Sequence, residues 1–376
     1  MFRKEKLQDE VAVMEYIRLY TSIPVPQVFG KGDSVVGPYM ILVFVEGMPL
    51  SDHLRASQDP QKPSTLKLDI KTDTLRRAYR SMADILLELY RCRFPAIGGL
   101  VQDETGRFSV KKRAVAFNMN EIVGLSKFPP ERLSQDCFSN AISYFESLAD
   151  DHFHHLEMQR NDAVTDEADC RKKYVVRRLF LKIARDFSKN HDYGPFPLLC
   201  DDLRPSNVIV DADMNVQSVI DWEFCYAGPL EFSHCSPWWL LLARPQTWEP
   251  DIDDFLVHYT SRQKLFLEIL RDRESELARE CIQLGSPLLS DQMARSLEDG
   301  TFWFHIAATY SFSFDDIYRR FIHPRYYGRS DSVEDLRKLL SEEEEKDMEP
   351  FIRKILDQAK EGGLDTYRTL EEMMQS

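Results

Sequence analysis

Residues 198–221 constrain this chain more tightly than any other stretch. The polar run Cys200-Asp201-Asp202-Leu203-Arg204-Pro205-Ser206-Asn207 lies between apolar residues, Leu198-Leu199 before it and Val208-Ile209-Val210 after it. Residues 197–200 read as a short strand. Residues 207–211 and 216–221 read as two strands around Ala212-Asp213-Met214-Asn215, a β-hairpin pattern. In an antiparallel pair the start of one strand lies beside the end of the other. Asn207 and Asp221 are therefore expected side by side at one edge, with Asp202 five residues before Asn207.

Phosphoryl transfer needs few parts. One carboxylate orients the attacking hydroxyl and accepts its proton; a carboxylate and an amide hold Mg²⁺ against the phosphates. Asp202, Asn207 and Asp221 supply that set. Asp and Asn are also common turn formers, so an Asp and an Asn five apart are usually structural when alone. Two features favour the catalytic reading here. The apolar flanks put the carboxylates at the mouth of a buried layer, and the hairpin returns the chain to Asp221.

Upstream, Leu7, Val11, Met14 and Ile17 recur at helical spacing over residues 7–20. Ile23-Pro24-Val25-Pro26 stops that helix, because each Pro biases its predecessor toward extended backbone. Residues 27–30 read as a short strand. Gly37-Pro38 opens an apolar, buried strand over 39–45, which ends at a hinge, Glu46-Gly47. Beyond it the pattern is mainly helical. Leu75, Tyr79, Met82, Leu86 and Leu89 line one face over 74–91, further helices are expected over 140–159 and 171–188, and the pattern is helical again from 237 to the end. Residues 98–130 read as loop-rich, and the run Glu342 to Glu345 as a solvated helix start or linker.

The 376 residues, 43% of them hydrophobic, suffice for one large or two unequal domains. A net charge of −14 gives no global support for binding nucleic acid or anionic lipid. Seven cysteines without a Cys-x-x-Cys pair read as reduced thiols. No apolar run approaches the ~20 residues that span a bilayer. The N-terminus begins with charges and shows no signal-peptide pattern, so the cytoplasm is the default expectation.

The segment 199–211 resembles the catalytic loop of the aminoglycoside phosphotransferase and choline kinase-like superfamily. Asp221-Trp222-Glu223-Phe224 with Ala227-Gly228-Pro229 resembles its metal-binding segment. In detail the chain is similar to a fungal-type branch, which has Cys-Asp-Asp where bacterial members have His-Gly-Asp and often carries Ser-Pro-Trp-Trp-Leu-Leu, as in Ser236 to Leu241. The likeness covers roughly 7–321.

The resemblance implies an α+β, protein-kinase-like fold, with a partial β-rich N-lobe over 1–46 and a large, mainly helical C-lobe over 47–376 that embeds the hairpin. It implies Mg-ATP-dependent phosphorylation of a hydroxyl on a small, unidentified substrate, with no nucleic acid or membrane partner. Asp202 would be the catalytic base, and Asn207 and Asp221 the Mg²⁺ ligands. Val43, Phe44 and Val45 would form the hinge whose backbone pairs with adenine. Glu10 would be the partner of a phosphate-holding lysine, or equally a helix-surface glutamate. The family's Gly-rich hairpin and lysine strand are not seen ahead of the first helix, and Lys4 and Lys6 lie in no strand pattern. A truncated N-lobe and a weakened phosphate clamp are expected from this. The rival reading is a catalytically impaired pseudokinase or binding module.

The remaining signals have plainer readings. Cys200 reads as a buried, inert thiol. Arg204 either touches phosphate or pairs with an acid in solvent. Asp201 is assigned no role, and Glu223 a structural salt bridge. His152, His154 and His155 read as a solvated helix face rather than a metal site. Trp238 and Trp239 read as core packing. Gln159-Arg160-Asn161-Asp162 resembles a recurrent stretch of the fungal branch, without a mechanism. Acids within 251–376 are expected to face an amine-bearing substrate.

Overall fold

The computed structural model describes residues 2–59, 62, 64–125, 128–158, 164–188, 192–280, 282, 287–329 and 332–361. The stretch Gln159-Arg160-Asn161-Asp162 lies outside the described residues. The architecture is α+β, with short antiparallel sheets set among helices.

Helix α1 (Arg3–Tyr20) starts earlier than the apolar spacing alone indicates, because Arg, Lys and Glu in its first turn are good helix formers. Val11, Met14 and Ile17 are buried, as expected. Strands β1 (Val28–Ser34) and β2 (Gly37–Leu42) form a two-stranded antiparallel sheet with Gly30 opposite Ile41 and Gly32 opposite Tyr39. The apolar strand thus begins before residue 39 and stops at Leu42, and it is not buried. Tyr39, Ile41, Val43 and Phe44 are exposed. The reason is that so small a sheet has one packed side. Val28 and Leu42 pack against the core, where α1 meets β2, and the other side is open.

After β3 (Met48–Pro49) come α2 (Thr72–Arg91), β4 (Arg93–Phe94), β5 (Gly99–Gln102), β6 (Phe108–Lys112) and α3 (Phe117–Leu125). Residues 98–130 therefore hold a hairpin and a helix where a loop was expected. Strands of four and five residues closed by a turn in which Gly106 N–H donates to the Asp103 carbonyl are too short for periodicity to register. Helices α4 (Ala141–Met158) and α5 (Glu167–Phe187) follow; Asp166 caps α5 through the Asp169 N–H.

Next come β7 (Phe196–Cys200), β8 (Val208–Val210), β9 (Val216–Val219) and β10 (Cys225–Ala227). They form two three-stranded sheets, β10-β7-β4 and β3-β8-β9. The rest is helical: α6 (Leu230–Ser233), α7 (Ile252–Arg279), α8 (Leu289–Asp299), α9 (Thr301–Thr309), α10 (Phe314–Ile317), α11 (His323–Tyr327), α12 (Val333–Arg337) and α13 (Glu342–Lys360). The acidic run does start a helix, with Ser341 and Glu344 forming a reciprocal capping box. No described helix is long and apolar enough to cross a membrane.

The helical core is built on pairs such as α2 with α7 and α4 with α5. Trp239 is buried against Tyr79 and Phe266, as core packing requires, while Trp238 is half-buried. The histidines of α4 correct the solvated-face reading. His152 and His155 are buried. His152 contacts the Ala308 carbonyl at 3.1 Å and the Ser311 hydroxyl at 2.9 Å, and burial pushes both imidazoles down to about 3, so they are neutral packing groups. Neighbouring apolar residues at helical spacing turn that face inward.

Candidate active site

The loop after β7 is set by backbone bonds. Asp201 N–H donates to the Phe224 carbonyl at 3.2 Å, and Leu203 N–H to the Cys200 carbonyl at 3.2 Å. A 3₁₀ turn, Pro205–Asn207, with proline at its first position then delivers Asn207 to the start of β8. In the hairpin Val208 faces Val219, and Ile220 N–H donates to the Asn207 carbonyl at 2.9 Å. Asn207 and Asp221 therefore stand at one edge, as their spacing indicates.

The Asn207 amide joins the three residues. Its Nδ2 donates to the Asp202 carbonyl at 2.9 Å and lies 3.4 Å from Asp202 Oδ2 and 3.5 Å from Asp221 Oδ2. Among the described residues, its Oδ1 meets only the Ser206 hydroxyl, at 3.4 Å. Asp202 and Asn207 are buried, and Asp221 is exposed at the rim. Asp221 has φ +64°, the left-handed region that Asp and Asn enter more readily than other non-glycine residues. Backbone strain of this kind concentrates at functional sites.

The site is crowded with negative charge. Loss of water, then repulsion from Glu223 and Asp202, hold the Asp221 carboxyl above its ordinary value; because the residue is exposed, the repulsion carries the argument. Glu10 accepts from the Trp222 N–H at 3.2 Å, and burial, with Asp221 and Glu223 adding, pushes it up to about 7. Glu10 thus reaches the Asp-Trp-Glu segment and is not a helix-surface residue. One turn before it, Lys6 Nζ sits 2.9 Å from Glu223 Oε2 and 5.2 Å from the centre of the Phe224 ring. Glu223 therefore does form a salt bridge. Arg204 Nε lies 3.2 Å from Asp202 Oδ1, pairing with an acid. Cys200 is buried across from Cys225, whose thiol contact, with burial, pushes its pKa well up, as an inert thiol requires.

Val43, Phe44 and Val45 run between β2 and Gly47. Val43 N–H donates to the Gln27 carbonyl at 2.9 Å, and Phe44 is 86% exposed. Gly47 links them to the hairpin. With φ +142° it lies so close to β8 that a Cβ would stand 2.6 Å from the Val210 carbonyl oxygen. Met48 then pairs with Val210 and Pro49 with Ile209.

Two residues escaped the sequence reading. Asp201 accepts from the Phe117 N–H at 3.0 Å and from the Tyr226 hydroxyl at 3.1 Å, so it braces the loop against α3 and β10. Burial raises its carboxyl to about 6. Arg244 lies 3.7 Å from Asp202 Oδ1 through Nη2, and its guanidinium carbon is 4.3 Å from the Tyr310 ring centre, 4.4 Å from Trp238 and 4.8 Å from Phe117. No local pattern marks it, because Phe117 and Tyr310 come from distant segments. These three rings also line a cavity of about 80 Å³ beside the loop, with Asp201 and Leu203. Among the described residues, no group of three His, Cys, Asp or Glu side chains forms a metal cage.

A comparison with curated proteins gave no match. The profile of the phosphotransferase enzyme family, APH, matches residues 3–267, a span that runs from α1 through the loop and the hairpin into α7. Since that match covers more than half of the sequence and contains every residue of the polar constellation, the chain belongs to the phosphotransferase enzyme family.

Proposed function

We propose that this chain transfers the γ-phosphoryl group of Mg-ATP to a hydroxyl of a small molecule. The observation that carries the reading is the Asn207 amide, which joins Asp202 and Asp221 within 3.5 Å. Asp202 orients the acceptor hydroxyl and takes its proton while the hydroxyl oxygen bonds to phosphorus and the bond to ADP breaks. Asn207 and Asp221 hold Mg²⁺. The fit rests on the donor set: an amide whose Nδ2 is engaged, leaving Oδ1 as the ligand atom, and a rim carboxylate repelled by Glu223 and Asp202. Two protein ligands without a full cage suit Mg²⁺, which keeps waters and binds substrate phosphates. When bound, Mg-ATP supplies the phosphoryl group and the cation that offsets its charge.

In this reading Val43, Phe44 and Val45 offer backbone to the adenine. Glu10 positions the Asp221 segment through Trp222 N–H, with Lys6 beside it as the α1 cation. Residues 1–46 act as the nucleotide-side lobe and 47–376 as the helical lobe, in a cytoplasmic protein. The test combines two measurements. Mg-ATP at millimolar concentration is expected to raise the melting temperature by mass action. Transfer to hydroxylated acceptors is expected to fall by about 10²–10⁴-fold in Asp202→Asn while the Mg-ATP shift persists. No shift, or equal turnover in the variant, would overturn the proposal.

A further inference from the structure

Helix α1 lays a charged face over the Asp-Trp-Glu segment. Lys6 and Glu10 are four residues apart, so they share one side of the helix. Glu10 accepts from the Trp222 N–H at 3.2 Å, and Lys6 Nζ lies 2.9 Å from Glu223 Oε2. The same nitrogen stands 5.2 Å from the centre of the Phe224 ring, and a ring face attracts a cation. Carboxylate and ring together fix where the ammonium group sits. Lys4 does not share this place. It pairs with Asp33 of β1 at 3.3 Å, and both of those side chains are mostly exposed.

The Lys6–Glu223 pair is not sealed. Lys6 keeps 15% of its side chain exposed and Glu223 keeps 29%, beside Asp221 at the open rim. Two residues of backbone, at most ~7 Å, separate Asp221 from Glu223. The rim is crowded with carboxylates. Asp221 feels the charge of Glu223 and Asp202, and Glu10 that of Asp221 and Glu223. The cations that act on Asp221 come from two sides: Arg204 from the loop, where it holds Asp202, and Lys6 from α1. An ammonium group has three N–H donors and no acceptor. Glu223 takes one of them and the ring accepts charge, which leaves donors for a ligand. A compact cation of this kind suits phosphate oxygens.

We propose that Lys6 is a phosphate-binding residue. Its ammonium group, placed by Glu223 and Phe224, takes an oxygen of the nucleotide's polyphosphate on the α1 side of the metal site, and it makes the chain prefer nucleoside di- and triphosphates over the monophosphate. The weakened phosphate clamp that the sequence suggests is then made good from a helix and not from a strand. This rests on the phosphotransferase reading above and adds to it a named cation and a nucleotide preference.

The full chain is tested by thermal-shift titration, which reads binding through mass action, at fixed free Mg²⁺ and ionic strength. The probes are ATP, ADP, AMP, adenosine and inorganic tripolyphosphate. Lys6→Met is expected to weaken the response to ATP, ADP and tripolyphosphate at least tenfold and to leave that to AMP and adenosine unchanged. Lys6→Arg is expected to recover part of the loss and guards against a folding defect in the first variant. Lys4→Met removes the same charge from the neighbouring lysine and is expected to change nothing. Lys6→Met combined with Glu223→Gln, which removes the stranded carboxylate, is expected to remain weak. An ATP response that Lys6→Met leaves intact would overturn the inference while the phosphotransferase reading stands. Equal weakening for adenosine and ATP would show a brace for α1 and overturn it too, as would full recovery in the double variant or an equal loss in Lys4→Met. A tripolyphosphate response that depends on Lys6, without any response to ATP, would instead sink the phosphotransferase reading and leave the phosphate site standing. No response to any probe would overturn both.

Discussion

Asp201 shows how a residue beside the chemistry can govern stability. Its carboxyl is raised to about 6 by burial, against an ordinary value near 3.8. An acid raised in this way favours the protonated folded state. Its contribution is complete below the unfolded pKa and is lost as pH rises through the folded one. The melting temperature of the ligand-free chain is therefore expected to fall between about pH 4 and pH 6. Asp201→Asn, which keeps an acceptor for the Phe117 N–H, is expected to flatten that fall. The residue is half-buried, so the effect is on the order of 1–2 kcal/mol after allowing for solvent screening. A thermal-melt series against pH for both proteins checks it, and an unchanged slope in the variant would show that other carboxyls dominate. The sequence exposed Asp202, Asn207 and Asp221 because a loop and a hairpin bring together residues that are close along the chain. Arg244 was hidden because its cage draws on residues 117, 238 and 310, and only the tertiary fold brings these together.

Among the elements, α1 decides whether Glu10 reaches the site. It is clamped to the β5–β6 hairpin by Arg113, which reaches both oxygens of Glu5 at 2.8 Å, and by the contact of Lys112 with buried Asp9. The Arg113 side chain is buried and its partner mostly so. Arg113→Met strands Glu5 and is expected to cost about 2 kcal/mol, below the 3–5 kcal/mol typical of a fully buried pair. Chemical denaturation measures this. A loss under about 0.5 kcal/mol, the range of an exposed pair, would show that packing and not charge holds the helix. The anchoring hairpin was invisible in the sequence, whereas the helices over 74–91, 140–159 and 171–188 were found to within a few residues. Long amphipathic periods outlast local noise; strands of four or five residues do not.

For the whole molecule, the sheet of β1 and β2 stands apart from an otherwise well-buried core. Among the described residues β2 pairs only with β1, which leaves its other margin of N–H and C=O groups open. Its sequence, Gly37-Pro38-Tyr39-Met40-Ile41-Leu42, carries no charge, while β1 has Lys31 and Asp33. Natural sheets guard such margins with charged side chains, bulges or covering segments. An uncharged, apolar margin is instead a template for strand addition. Dilute solutions of the chain are then expected to hold together while concentrated ones associate through this margin. Ile41→Lys, at an exposed position, is expected to suppress association with under about 0.5 kcal/mol change in stability. Light scattering across a concentration series reads the outcome, and equal association by both proteins would place the sticking surface elsewhere. The margin that frames the proposed adenine hinge is thus also where the chain is most open to an extended strand from another molecule.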